Sequence, residues 1–287
     1  MKLLQDKKIL IIGLGLMGGS YARKLTQEGF YVGAIDTNFK SIRYALDNHI
    51  IKEGNVEVDK EFIDKYDIVV FSLYPKTFIK WIEEYGHIFK KGTIITDVTG
   101  VKGSVIPDVN KGLTKDVEYI AAHPMAGREV YGVENSKADL FNDANYIITP
   151  TKDNTEYAVN LSKELGEVLG FRHVSCLTPE QHDEMIAFTS QLTHCIAVSL
   201  MTCKESHHLV DYTGDSFRDL TRIANINEFM WSELFLMNKE KLLAEIDCFV
   251  KELTKLRNAI DTEDVDLIKS LMKESTKRRS YFNKKED

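Results

Sequence analysis

One short run constrains this chain more than any other: Lys8-Ile9-Leu10-Ile11-Ile12 leads straight into Gly13-Leu14-Gly15-Leu16-Met17-Gly18-Gly19-Ser20. An unbroken apolar strand followed at once by G-x-G-x-x-G and a helical pattern is the opening of a βαβ unit, buried on both faces. Gly13 permits a tight turn, Gly15 lets the backbone approach a pyrophosphate, and Gly18 lets helix pack on strand. The helix beginning there offers unpaired amides and a positive dipole end around Leu16 and Met17, which is where a phosphate binds. Asp36 ends the next strand, 18 residues beyond Gly18. There it can accept from both ribose hydroxyls, and its charge repels a 2′-phosphate, so NAD is favoured over NADP. After the strand expected at Ile68–Ser72, the loop Ser72-Leu73-Tyr74-Pro75 should close over the cofactor, with Ser72 either touching the ribose or capping the following helix.

Turn residues divide the chain near residue 177. Sixteen of the 17 glycines lie at or before Gly170 and all five prolines at or before Pro179. Up to residue 177, β-rich runs at Ile9–Ile12, Tyr31–Ile35, Ile68–Ser72, Thr93–Asp97, Tyr119–Ala122, Tyr146–Thr149 and His173–Cys176 alternate with helical stretches. This pattern predicts an α/β fold, a mainly parallel doubly wound sheet of Rossmann type over residues 1–177. Residues 178–287 read as all helix. Thr178 caps and Pro179 fits the first turn of a helix carrying Met185, Phe188, Leu192, Ile196 and Leu200 on one face. A second stripe, Leu242, Ile246, Phe249, Leu253, Leu256 and Ile260, steps at helical spacing and must bury against something, within one chain or across a two-fold axis in a homodimer.

Composition narrows the function. Charged residues are 28% of the chain, 37 basic against 44 acidic for a net charge of −7, which favours neither nucleic acid nor an anionic membrane surface as partner. The N-terminus has no signal-peptide pattern and no apolar run is read as transmembrane. Cys176, Cys195, Cys203 and Cys248 lack metal or disulfide spacing, so free thiols in a reducing cytoplasm are expected. None of the eight histidines joins partners at zinc spacing, and no metal is expected.

His123 stands apart from the other histidines. It ends the Tyr119–Ala122 run and opens His123-Pro124-Met125-Ala126-Gly127-Arg128-Glu129, at the sheet edge where bound ligand lies. Imidazole takes a proton near neutral pH, which oxidation of an alcohol by hydride transfer demands. His182 beside Asp183 fits either first-turn helix polarity or a substrate role. His194 sits on a largely apolar helix and fits either a core position or a site.

His123-Pro124-Met125-Ala126-Gly127 with Glu129, Thr96-Asp97 before Val101-Lys102-Gly103, Pro179-Glu180-Gln181-His182-Asp183, and Asp219-Leu220-Thr221-Arg222-Ile223-Ala224 ahead of Trp231 together resemble the prephenate/arogenate dehydrogenases. The resemblance implies a Rossmann-type domain, an all-helical dimerisation domain, and NAD-dependent oxidative decarboxylation of prephenate to 4-hydroxyphenylpyruvate on the route to tyrosine. Arogenate oxidation is the alternative substrate reading, and a 3-hydroxyacid-type dehydrogenase the alternative enzyme. His123 matches the family's catalytic histidine, Arg222 its substrate-carboxylate arginine, His194 a second active-site histidine, and Glu129 an acidic residue at the pocket rim. Asp219 lies at helical ion-pair spacing from Arg222, so a surface pair is the other reading of that arginine. The chain departs from the family where Gly100 replaces a common serine, for which Thr99 is expected to substitute, and where Gln191 replaces a common histidine. Neither a fused chorismate mutase segment nor an ACT domain is expected.

Overall fold

The computed structural model describes residues 2–128, 130–205 and 207–282. The chain divides into two compact units, one up to Lys239 and one from Glu240 onward. In the first, six parallel strands pair in the order β3-β2-β1-β4-β5-β6. These are β1 (Lys8–Ile12), β2 (Tyr31–Ile35), β3 (Glu53–Asn55), β4 (Ile68–Phe71), β5 (Ile94–Asp97) and β6 (Glu118–Tyr119). The order reverses between β1 and β4, so the loops at the carboxyl ends of these strands diverge and leave a crevice.

Alternation along the central strands explains why the sheet is doubly wound. Ile9 and Ile11 of β1, with Ile68 and Val70 of β4, pack into one layer against Tyr21 and Leu25. Their neighbours Leu10, Ile12, Val69 and Phe71 enter the opposite layer with Phe78 and Ile82. Both faces are apolar, and each needs a cover of helices.

The structure differs from the sequence expectation in several places. The run Tyr119–Ala122 is not one strand: the chain leaves the parallel sheet after Tyr119 and starts β7 (Ala121–Pro124) in a second sheet. There β7 runs antiparallel to β8 (Asn145–Thr149), which is parallel to β9 (His173–Cys176). The amide of Ile120 still bonds to Ile95 O at 2.9 Å, so the switch occurs within a single residue. Local propensity is the same on both sides of Ile120, and only the partner strand changes.

Pro179–Ile186, a π-helical turn over Ala187–Gln191, and Leu192–Thr202 make one long helix. Contrary to expectation, it is long and apolar enough to cross a membrane by length and composition, with mean hydropathy 1.3 over its most apolar window. Scattered Thr, Ser and Gln hide that average from a search for unbroken apolar runs. Its buried positions include His182, Asp183 and Gln191, side chains costly to bring into hydrocarbon. The face that packs is not the expected stripe: Leu192 is buried, whereas Phe188 is 55% exposed. In the second unit the helices Lys239–Asp261 and Val265–Ser280 follow one another through a turn with Glu263 at φ 54°. On the first of them Leu242 is buried, Ile246, Phe249 and Leu256 are half-buried, and Leu253 and Ile260 are exposed. The stripe at 242–260 is therefore only partly covered within one chain.

Gly18 shows how tightly the first helix meets β1. A Cβ there would lie 1.9 Å from Gly13 O, a backbone atom that cannot turn aside. Gly18→Ala should cost about 1–3 kcal/mol as an overpacked contact. The check is thermal unfolding, where a midpoint unchanged from the parent chain would show that the contact relaxes freely.

Candidate active site

Loops at the carboxyl ends of β1, β4 and β5, the end of β7 and its following loop, and the helical segments 186–194 and 222–234 together line a cleft of about 890 Å³. All of its lining lies in the first unit. One end is the glycine loop. Gly13 has φ 96°, and a Cβ on it would meet Ser72 O at 2.6 Å, so this turn needs glycine for both conformation and space. At Gly15 a Cβ would meet nothing within 4 Å. The open space lies over the N-terminus of the helix Leu16–Gln27, where Leu16 and Met17 present the first amides. Asp36, directly after β2, accepts from Leu14 N of the glycine loop at 2.6 Å and from Asn38 N at 2.7 Å. Ser72 lines the cleft and does not cap the helix after it, which starts at Pro75 with Tyr74 in the cap position. An open approach at Gly15, helix amides and a ribose-reach carboxylate fit a dinucleotide.

The other end is built on His123. Its Nδ1 lies 2.9 Å from His182 Nε2, and His182 Nδ1 lies 2.7 Å from Asp183 Oδ1. Asp183 accepts in turn from the amides of Lys102 at 2.9 Å and Gly103 at 2.8 Å. Beneath this chain Asp97 and Lys102 form a fully buried ion pair at 2.6 Å. Lys102 Nζ also donates to Ala122 O at 2.6 Å, one residue before His123. Burial, and then the charges of His182 and Lys102, hold His123 well below the ordinary histidine range. Burial lowers His182 as well, against the opposing pull of Asp183. Burial works to raise Asp183, but hydrogen bonds from His182 and from the Gly103 and Lys102 amides outweigh it and keep the carboxyl low. Neutral imidazoles beside a carboxylate are therefore the resting state at neutral pH.

The remaining expected residues divide. His194 lines the cleft, half-buried, stacked on Trp231 at 3.6 Å between centroids, and its Nδ1 lies 2.9 Å from Ser190 O. Arg222 is exposed at the mouth, on the short turn Arg222–Ala224. Thr99 lines the cleft, but its hydroxyl is turned away from it. Its hydroxyl is buried on the Asp97 carboxylate, within 3.1 Å of both Val101 O and Lys102 Nζ, so it has no hydrogen left for a substrate. A Cβ at Gly100 would instead lie 3.3 Å from the Leu234 side chain and 3.8 Å from His123 Cε1. Glu129 lies outside the described residues. Gln191 is a brace: its Nε2 donates to Leu234 O at 2.9 Å and its Oε1 accepts from Asn238 at 2.8 Å.

Sequence reasoning left the buried pair Asp97–Lys102 without a role and His182–Asp183 undecided. The available signal was chemical: a lysine and an aspartate inside a β-rich, otherwise apolar stretch must find each other. Among the described residues no group of His, Cys, Asp and Glu could hold a metal ion.

Comparison with known proteins agrees with this geometry. Residues 21–186 match the family described as prephenate dehydrogenase, nucleotide-binding domain, and residues 178–274 match prephenate dehydrogenase, dimerization domain. The chain is 30% identical to the prephenate dehydrogenase of Bacillus subtilis, over 90% of this chain and 71% of that protein. It is likewise 30% identical to the cyclohexadienyl dehydrogenase of Zymomonas mobilis, over 95% of both. Among solved structures, prephenate dehydrogenase from A. aeolicus in complex with hydroxyphenyl propionate and NAD+ superposes with a TM-score of 0.89 at 32% identity, covering 98% of this chain and 99% of that one. With both domains matched in order along the chain, this protein belongs to the prephenate dehydrogenase family.

Proposed function

We propose that the chain oxidises prephenate with NAD, releasing carbon dioxide and 4-hydroxyphenylpyruvate in the formation of tyrosine. One observation carries the reading: a neutral, deeply held His123 opens onto the same cleft as the glycine loop and Arg222. Gly13, Gly15, Leu16, Met17, Gly18, Asp36 and Ser72 would hold the cofactor. NAD, when bound, supplies the hydride acceptor.

His123 takes the proton of the ring hydroxyl while the hydrogen on the same carbon departs as hydride. Loss of carbon dioxide then returns an electron pair through the ring to that oxygen, which recovers the proton from His123 as the ring becomes a phenol. Aromatisation makes the step one-way. Arg222 suits a substrate carboxylate because a guanidinium fork holds both oxygens. Trp231 and His194 supply a flat wall for a ring. A 3-hydroxyacid dehydrogenase relying on a lysine of the helical part fits less well, since no lysine occurs from Pro179 until Lys204. Residues 178 onward make the substrate and dimerisation part in this reading, and the four cysteines, all free, suit a cytoplasmic setting. A homodimer is supported by the apolar side chains one chain leaves exposed, among them Phe188, Phe229, Leu236, Val250 and Leu253.

Three outcomes test the proposal. First, NADH should appear with prephenate, and arogenate run in parallel reads the preference between a keto and an amino side chain. In His123→Asn, kcat should fall by about 10²- to 10⁴-fold with NAD binding retained. Because His123 is held low, wild-type log kcat should stay level as pH drops through about 6.5 and decline only below it, and the mutant should lack that limb. A folded mutant turning over within a few-fold of wild type would remove His123 from the chemistry. Second, kcat/KM for NAD should exceed that for NADP. Asp36→Asn, which can still accept from Leu14, should narrow the gap. Third, light scattering at micromolar concentration should give twice the mass of one chain, and a stable, active monomer would refute the dimer.

A further inference from the structure

We propose that Asp183 and His182 are positioning residues that decide which nitrogen of His123 carries its hydrogen, leaving Nε2 of His123 as the basic atom. This rests on the role given to His123 above. An ionised carboxylate only accepts hydrogen bonds. Asp183 Oδ1 accepts from Lys102 N at 2.9 Å and Oδ2 from Gly103 N at 2.8 Å, donors that cannot reverse. Facing that carboxylate at 2.7 Å, His182 Nδ1 must carry a hydrogen.

The next link follows from charge. The His182 side chain is fully buried, and burial keeps its ring neutral at neutral pH, so the lone pair is on Nε2. That nitrogen lies 2.9 Å from His123 Nδ1. Two lone pairs cannot face each other at that distance, so His123 Nδ1 is the donor. In a neutral ring its Nε2 is then bare. The alternative tautomer would present an N–H to a hydroxyl that has to lose its own proton. A carboxylate fixed by two amides thus selects, through one intervening ring, the reactive form of the catalytic one, as outer partners do for metal-bound histidines.

The chain makes this arrangement rigid from both sides. The Thr178 capping box and Pro179 fix where the helix starts, and thereby the positions of His182 and Asp183. Asn238 Nδ2 donates to Asp183 O at 2.9 Å and to Gln191 Oε1 at 2.8 Å, tying that backbone to the π-helical turn.

The direct test is ¹⁵N NMR of the full-length protein with labelled histidines at neutral pH, in which two-bond nitrogen–proton couplings report the tautomer of each ring. His123 is assigned by loss of its signals in His123→Asn. Protonated Nδ1 and bare Nε2 are expected on both His123 and His182. A wild-type His123 protonated at Nε2 would overturn the proposal. In Asp183→Ala the acceptor that keeps a hydrogen on His182 Nδ1 is gone, so the His182–His123 pair is free to populate the reversed tautomers. This variant should show a share of His123 protonated at Nε2 and a kcat lower by at least that share, with KM for prephenate and Kd for NAD within about threefold of wild type. A folded Asp183→Ala protein with only the wild-type tautomer and the wild-type kcat would refute the relay. A merely structural role would lower stability without moving the tautomer. If Asp183→Ala does not fold, the wild-type spectrum still decides. That spectrum needs no substrate, so failure to oxidise prephenate would count against the proposed function alone.

Discussion

A buried carboxylate, Asp97, holds the site together. A charge without solvent exposure persists only if its oxygens are saturated, and Asp97 meets that requirement with donors from four separate residues. The Thr99 amide and hydroxyl and the Lys102 ammonium bond to Oδ2, while Tyr119 OH at 2.9 Å and Ala122 N at 3.1 Å bond to Oδ1. Those donors are the loop after β5, the end of β6 and the start of β7. Satisfying one carboxylate therefore fixes where the chain leaves the parallel sheet, and His123 follows one residue after Ala122. Removing either Asp97 or Lys102 alone would strand the other charge in the interior.

The same loop serves the helix beyond residue 178. Because Lys102 spends its ammonium on Asp97 and Ala122 O, the loop turns its backbone amides at 102 and 103 outward, and Asp183 docks on them. The buried ion pair thus sets both partners of the His123–His182 contact, one through β7 and one through the helix. Its charge also helps disfavour a protonated His123. Fold and chemistry thus share one set of hydrogen bonds at the cleft floor.

The glycine loop and the histidine chain differ in how they become visible. Gly13, Gly15 and Gly18 act on neighbours within a few residues of one another, so spacing alone separates the turn, the open approach and the tight packing. The Thr178–Gln181 capping box is equally local, and it places the helix start where the sequence predicts it. Thr99 misleads for the opposite reason. It sits next to Gly100 in sequence, but its hydroxyl is turned onto the Asp97 carboxylate, whereas a Cβ placed at Gly100 would face Leu234 and His123.

By itself, then, the sequence determined the doubly wound sheet, the dinucleotide loop, the helical tail and the prominence of His123. Each rests on periodicity, on backbone needs that glycine and proline reveal, or on a motif read in order along the chain. Only the tertiary structure decided that β6 gives way to β7 at Ile120, that His182 backs His123, and that Asp97 and Lys102 are partners under both. His123 and His182 are 59 residues apart in sequence, and their contact depends on two elements meeting at the floor of one cleft. Local propensity carries no information about such a meeting, because it is the desolvation of buried charge, satisfied across the whole fold, that selects it.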